Sequence, residues 1–204
     1  ALVKPPTPTP TPTQTPTQVP TQIPTDEPTQ TPTPTVPPVP AGPVTVSADG
    51  ACTVQVPTFS ATAPSGALTS SSWGNLNGTA GDDVIYTKQN NQNVRAGAGN
   101  DLVVVTEVGS HVYGGPGNDV IIYTNAGSNW ANFYGGGGDD QIYAVTGGHI
   151  RALGGAGADI LVGGASDDQL NGYGLAEDGS DAAEVDGVDI ICGGGGADTI
   201  TAGG

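Results

Sequence analysis

Apolar residues recur along the middle of the chain with a nine-residue beat. They stand at Ile85, Val94, Val103, Val112 and Ile121, resume after a three-residue insertion at Phe133 and Ile142, and return at Leu161, Leu170, Ile191 and Ile200. Branched residues around these positions predict strands of about three residues. Glycines crowd the stretches just before many of the strands, as in AGAGNDLVV (96–104), GGPGNDVII (114–122), GGGGDDQIY (135–143), GGAGADILV (154–162), GGASDDQLN (163–171) and GGGGADTIT (193–201). Glycine supplies the positive φ of a tight reversal and bares its carbonyl. Two nines make eighteen, one coil of a solenoid with two straight sides whose regular apolar residue points inward.

Upstream the pattern changes twice. VTVSADGACTVQV (44–56) alternates apolar and polar residues around Asp49-Gly50, which predicts a β-hairpin. The Ser-, Thr-, Ala- and Gly-rich stretch to about 75 is expected to cover the first coil. Residues 1–40 hold 14 Pro and 12 Thr, and proline removes the donors that helix or sheet would need. That tail is expected to be extended polyproline II, on the order of 120 Å long at about 3.1 Å per residue, and it resembles the O-glycosylated stalks of secreted proteins. The expected fold class is therefore all-β. A parallel β-roll of about six to seven 18-residue coils (76–204) would follow a small β cap (41–75) and an extended tail (1–40).

Composition narrows the function. Beyond residue 40, 18 acidic side chains face three basic ones, Lys88, Arg95 and Arg151, a balance that repels nucleic acid and anionic membranes and favours cations. With 34 glycines, no Met and few aromatics, stability must come from stacked backbone or bound ions. No run of about 18 apolar residues suggests a membrane span, and no charged-then-apolar leader stands at Ala1.

Aspartates sit two residues before alternate members of the apolar series: Asp83, Asp101, Asp119, Asp140 and Asp159. Together with the glycines they spell GGxGxDxUx, U being apolar, and in this the chain resembles the RTX (repeats-in-toxin) calcium-binding β-roll family over residues 78–201. Stacked coils roughly 4.8 Å apart would bring Asp101 beside Asp119. Two carboxylates at that spacing repel by about 3.5 kcal/mol at an effective dielectric near 20. Calcium takes six to eight oxygens at roughly 2.3–2.6 Å, so it fits between turns where magnesium, with shorter octahedral bonds, does not. The resemblance implies that the five aspartates are calcium ligands on one edge, with glycine carbonyls completing the shell. Asp82, Asn100, Asn118 and Asp139, one position earlier, are expected to shape the loops or support the ligands.

The other edge departs from the motif. Its turns read TKQNNQN (87–93), TEVGS (106–110), TNAGSNWAN (124–132) and AVTGGH (144–149). They are expected to stack through Asn, Thr and Ser hydrogen bonds without calcium. Motif aspartates appear there only at Asp168 and, past the acidic insertion AEDGSDAAEVDG (176–187), at Asp198. Asp189, two residues before Ile191, fits the register but lacks the preceding glycines. All eight aspartates are candidate metal ligands.

No GxSxG or HExxH occurs. Asp167 and Asp168 are adjacent on a tight turn and should point apart, which argues against a carboxylate pair for glycoside cleavage. His111 and His149 are expected to face solvent. Trp130 is a candidate contact residue, and Trp73 is either that or buried under the cap, because so narrow a roll should admit only small aliphatics inside. No enzyme is expected. Cys52 and Cys192 are compatible with an oxidising compartment. With about six coils between them, roughly 30 Å apart, they could join only different subunits, unless the cap folds back along the roll. The leading expectation is an extracellular, calcium-stabilised structural protein that self-associates into a filament or matrix, its final TAGG leaving an uncapped strand edge. The alternative is a calcium-dependent accessory or secretion module of a larger exported enzyme, toxin or adhesin.

Overall fold

The computed structural model describes residues 45–46, 52–53, 55–69, 74–173 and 187–202. The Thr-Pro tail, Trp73 and the acidic insertion up to residue 186, with the expectations attached to them, lie outside the described residues. β1 (Thr45–Val46) pairs antiparallel with β2 (Cys52–Thr53), which matches the hairpin read around Asp49-Gly50.

The chain then alternates between two parallel sheets of seven strands. The odd sheet holds β3 (Leu68–Thr69), β5 (Val84–Tyr86), β7 (Leu102–Val105), β9 (Val120–Tyr123), β11 (Gln141–Ala144), β13 (Ile160–Val162) and β15 (Ile190–Cys192). The even sheet holds β4 (Asn75–Asn77), β6 (Asn93–Arg95), β8 (His111–Pro116), β10 (Ala131–Gly137), β12 (Ile150–Ala156), β14 (Gln169–Asn171) and β16 (Thr199–Thr201). Within each sheet the spatial order follows the chain, so every strand pairs with the strand one coil away. The fold is an all-β parallel solenoid. Among the described residues no helix is long and apolar enough to cross a membrane.

The nine-residue beat lines the interior. Ile85, Val94, Val103, Val112, Ile121, Phe133, Ile142, Leu161 and Leu170 are all buried between the sheets. The interior is not limited to small aliphatics: Tyr123 and Phe133 are both fully buried, edge to face with centroids 5.5 Å apart. They flank the lengthened turn between β9 and β10, so the coil that carries the insertion is the one that houses the rings.

The sheets differ in their outer faces, and the difference explains their sequences. Even-sheet strands alternate, with Asn93 and Arg95 exposed around buried Val94. Along that face Arg95 lies 5.4 Å over the Tyr113 ring, and Tyr113 stacks on Tyr134 at 4.8 Å, close to the spacing of neighbouring strands. Odd-sheet strands such as LVVV (102–105) and VIIY (120–123) are buried at every position. A strand that is apolar throughout needs cover on both faces. The second cover is the segment that follows β2: Phe59, Ala63 and Ala67 pack on a second cluster formed by Val84, Tyr86, Val104, Ile122 and Tyr143, and the Tyr86 hydroxyl donates to the Ser60 carbonyl at 2.9 Å. This segment reaches beyond the first coil.

Its far end is fixed covalently. Cys52 is disulfide-bonded to Cys192 in the same chain, with Cα atoms 5.9 Å apart. Since β15 and β3 stand at opposite ends of the odd sheet among the described residues, residues 55–67 must cross the sheet from end to end as a strap. Of the two arrangements open in the sequence, the folded-back cap is the one adopted. Closing a loop of 140 residues is worth about 5 kcal/mol in the chain-entropy account.

Candidate metal centre

Four of the turns entering the odd sheet, those before Asp101, Asp119, Asp140 and Asp159, are built around two glycines. Before Asp119, Gly115 and Gly117 take φ of 116° and 132°, a region that L side chains avoid. A Cβ on either would also collide with the carbonyl oxygen of Gly97 or Gly99 in the preceding coil. Equivalent pairs precede Asp101, Asp140 and Asp159. At these positions the turns can stack this closely only without a Cβ.

The stacking aligns the aspartates. The Asp83 amide donates to Asp101 Oδ1 at 2.7 Å, Asp101 to Asp119 at 2.8 Å, Asp119 to Asp140 at 2.7 Å, Asp140 to Asp159 at 2.8 Å and Asp159 to Asp189 at 3.0 Å. Six of the eight candidate ligands thus form one row on one edge. One position earlier a second ladder runs the opposite way: the Asn100 amide donates back to Asp82 Oδ1 at 2.7 Å, and Asn118, Asp139 and Ala158 continue it at 2.9 Å. Asp82, Asn100, Asn118 and Asp139 therefore hold the register between coils.

The second carboxylate oxygen separates the row's first member from its interior. Asp83 Oδ2 accepts from the Thr79 amide at 2.6 Å and the Thr79 hydroxyl at 3.0 Å. Asp101 Oδ2 and Asp119 Oδ2 are buried with no hydrogen-bond partner. Burial pushes the Asp101 carboxyl up to about 6 and Asp119 up to about 8, with backbone hydrogen bonds pulling the other way and neighbouring acids adding to the rise. Unpartnered buried carboxylate oxygen is costly unless a cation meets it.

Asp189 corrects the sequence reading. It does have its glycine: a Cβ on Gly172 would collide with Asp189 Oδ2, just as one on Gly114 would with Asp119 Oδ2 and one on Gly154 with Asp159 Oδ2. The insertion splits the motif between Gly172 and Asp189, so a contiguous nonapeptide misses it. The signal that survives is Gly187, two residues before the aspartate, whose amide donates to the Gly157 carbonyl at 2.7 Å.

On the other edge the same column is filled by Gln92, Ser110, Ala131 and Ile150 before it reaches Asp168 and Asp198. Asp168 begins a short row: its Oδ1 accepts from the Ile150 amide and its Oδ2 from the Gly164 amide, both at 2.8 Å, while its own amide donates to Asp198 Oδ1 at 3.0 Å. Burial raises the Asp168 carboxyl above its ordinary range. Asp167 points away, accepting from the Ala197 amide at 2.7 Å. The turns between odd and even strands stack as expected, Thr106 bonding Thr87 through both its amide and its hydroxyl and Asn125 bonding the Thr106 carbonyl. Trp130 is 41% exposed and stacks on His149 at 5.2 Å; His111 is half-buried on the outer face of the even sheet.

Among the described residues no group of three or more His, Cys, Asp or Glu side chains is arranged to hold a metal. The donors available are paired carboxylates and backbone carbonyls, an all-oxygen set that suits a hard cation of calcium's size and not zinc. A model of the RTX calcium-binding nonapeptide repeat matches residues 72–103, 110–130, 121–147, 151–174 and 185–204, together more than half of the chain. No curated protein and no solved structure matches it. These repeats bind calcium, and the chain belongs to the RTX calcium-binding nonapeptide-repeat family.

Proposed function

We propose that the protein is an extracellular structural component whose roll is assembled by calcium and which associates end to end into a filament or matrix. The carboxylates of Asp83, Asp101, Asp119, Asp140, Asp159 and Asp189 hold the ions along one edge, and Asp168 and Asp198 hold them on the other. Bound calcium supplies the positive charge that the stacked acids lack. The chain's own part is to align the carboxylates by their amide ladder and to bring glycine carbonyls close. Repeats of this kind are typical of exported proteins, which fits both the disulfide and the acidic surface.

The observation that supports end-to-end association is the state of the coil of β15 and β16, the final one among the described residues. Ile200 occupies the column of buried Leu170 yet is 49% exposed, and the outer edge of β16 pairs with no strand among the described residues. An apolar core position beside an open strand edge is a template for another coil. A heterologous contact of that kind propagates into a fibre.

Electron microscopy and sedimentation of the full chain test this. Calcium should produce filaments that EGTA disperses, and Ile200→Lys should leave calcium-loaded monomers. Monodisperse monomer at high protein and calcium concentrations would overturn self-assembly and favour an accessory module of a larger exported protein.

A further inference from the structure

The coil of β15 and β16, the final one among the described residues, buries less apolar surface than the coil before it, although Ile191 packs on the core and Cys192 is buried. Ile190 is 39% exposed where its partner Ile160 is 9%, Ile200 is 49% where Leu170 is 1%, and Val188 is 86% exposed. It also follows the long insertion after Tyr173. Three other ties bind it. Asp189 and Asp198 accept from the Asp159 and Asp168 amides, backbone bonds such as that from the Gly163 amide to the Cys192 carbonyl at 2.8 Å join it to the coil before, and Cys192 is bonded to Cys52. Cys192 lies three residues after Asp189 and six before Asp198. The far partner, Cys52, is placed by a strap that packs on other coils through Phe59, Ala63 and Ala67.

We infer that calcium at Asp189 and Asp198 and the Cys52–Cys192 disulfide are coupled, each holding the last coil in the position the other requires. The inference rests on the reading of those two aspartates as ligands. Without the ion, Asp159 repels Asp189 and Asp168 repels Asp198, and a coil with so little buried apolar surface opens readily. Docked, it buries Cys192 and keeps the two sulfurs at high effective concentration. By linkage the disulfide strengthens calcium binding at this coil by the same factor that calcium strengthens the disulfide. The strap is thereby locked across the odd sheet only once the coil that carries Cys192 has docked.

The test follows reduction of the disulfide in the full chain by dithiothreitol. Its thiolate attacks one sulfur, the mixed disulfide resolves to the cyclic oxidised reagent, and two electrons and two protons pass to Cys52 and Cys192. The thiols are trapped with iodoacetamide and counted by mass. Excess calcium should slow reduction at least tenfold relative to EGTA. The double variant Asp189→Asn/Asp198→Asn should bind fewer ions and lose this protection while circular dichroism shows the other coils still folding with calcium. Asp83→Asn, at the opposite end of the row, should lose calcium affinity and keep the protection. Equal reduction rates with and without calcium, or protection lost in Asp83→Asn as well, would overturn the coupling. A double variant that binds fewer ions yet stays protected would also overturn it, whereas one that binds as many ions as the parent would show that the ligand reading itself is wrong.

Discussion

Asp119 stands between two acids, its amide bonded to Asp140 and its Oδ1 to the Asp101 amide, with its Oδ2 buried and unpartnered. Asp119→Asn keeps the shape and removes the charge. It should weaken calcium binding at the gaps on both sides, by tenfold or more in calorimetric titration, while raising the β-signal that remains in EGTA. The direction of the pKa shifts gives a pH dependence with two signs. Burial raises the Asp101 and Asp119 carboxyls to about 6 and about 8, from an ordinary value near 3.8. Their folded pKa values are raised, so the stability they confer on the metal-free roll is fully present below about pH 4 and lost as pH rises through 6 to 8. Calcium needs the carboxylates ionised, so its affinity should fall over the same range on acidification. Circular dichroism in EGTA should therefore show more β-structure at pH 4 than at pH 8, and calcium should reverse that order at pH 8. Glycine substitutions divide in the same way. Gly115→Ala, with a φ of 116° and a carbonyl in the way, should cost about 2–4 kcal/mol or prevent stacking. Gly74→Ala, with open space around it, should change stability by less than about 0.5 kcal/mol.

The odd sheet owes its burial to an element that makes almost no regular structure of its own. Phe59 anchors the strap, so Phe59→Ala should destabilise the calcium-loaded roll by about 2–4 kcal/mol and increase binding of a hydrophobic dye to the uncovered face. Dye binding unchanged with stability lost would place the effect elsewhere. The strap also marks where sequence reading stops. The nine-residue beat is a local signal, and every residue from Ile85 to Leu170 that carries it lies inside the roll, because a parallel stack repeats the same environment in each coil. The strap repeats nothing and its partners are far away in the chain, so LVVV and VIIY look only like good strands until their second cover is seen. Asp189 was obscured for a related reason: Gly172 and the aspartate meet in space although the insertion parts them in sequence. The disulfide was undetermined because Cα separation depends on the path of the cap, and spacing alone does not reveal that path.

The molecule as a whole is a charge problem solved by repetition. A net charge of −16 is gathered partly into rows, and the row leaders Asp83 and Asp168 are satisfied by their own turns, whereas Asp101 and Asp119 are not. Calcium removal should therefore undo the roll cooperatively from its interior gaps, with the strap and disulfide leaving a compact but poorly ordered chain. Calcium bridging of the stacked acidic turns can be seen by anomalous X-ray diffraction from crystals grown in calcium. A line of calcium peaks should lie along the Asp83–Asp189 edge, roughly 4.8 Å apart, with a further peak between Asp168 and Asp198. Well-ordered turns with no peak between Asp101 and Asp119 would contradict that bridging.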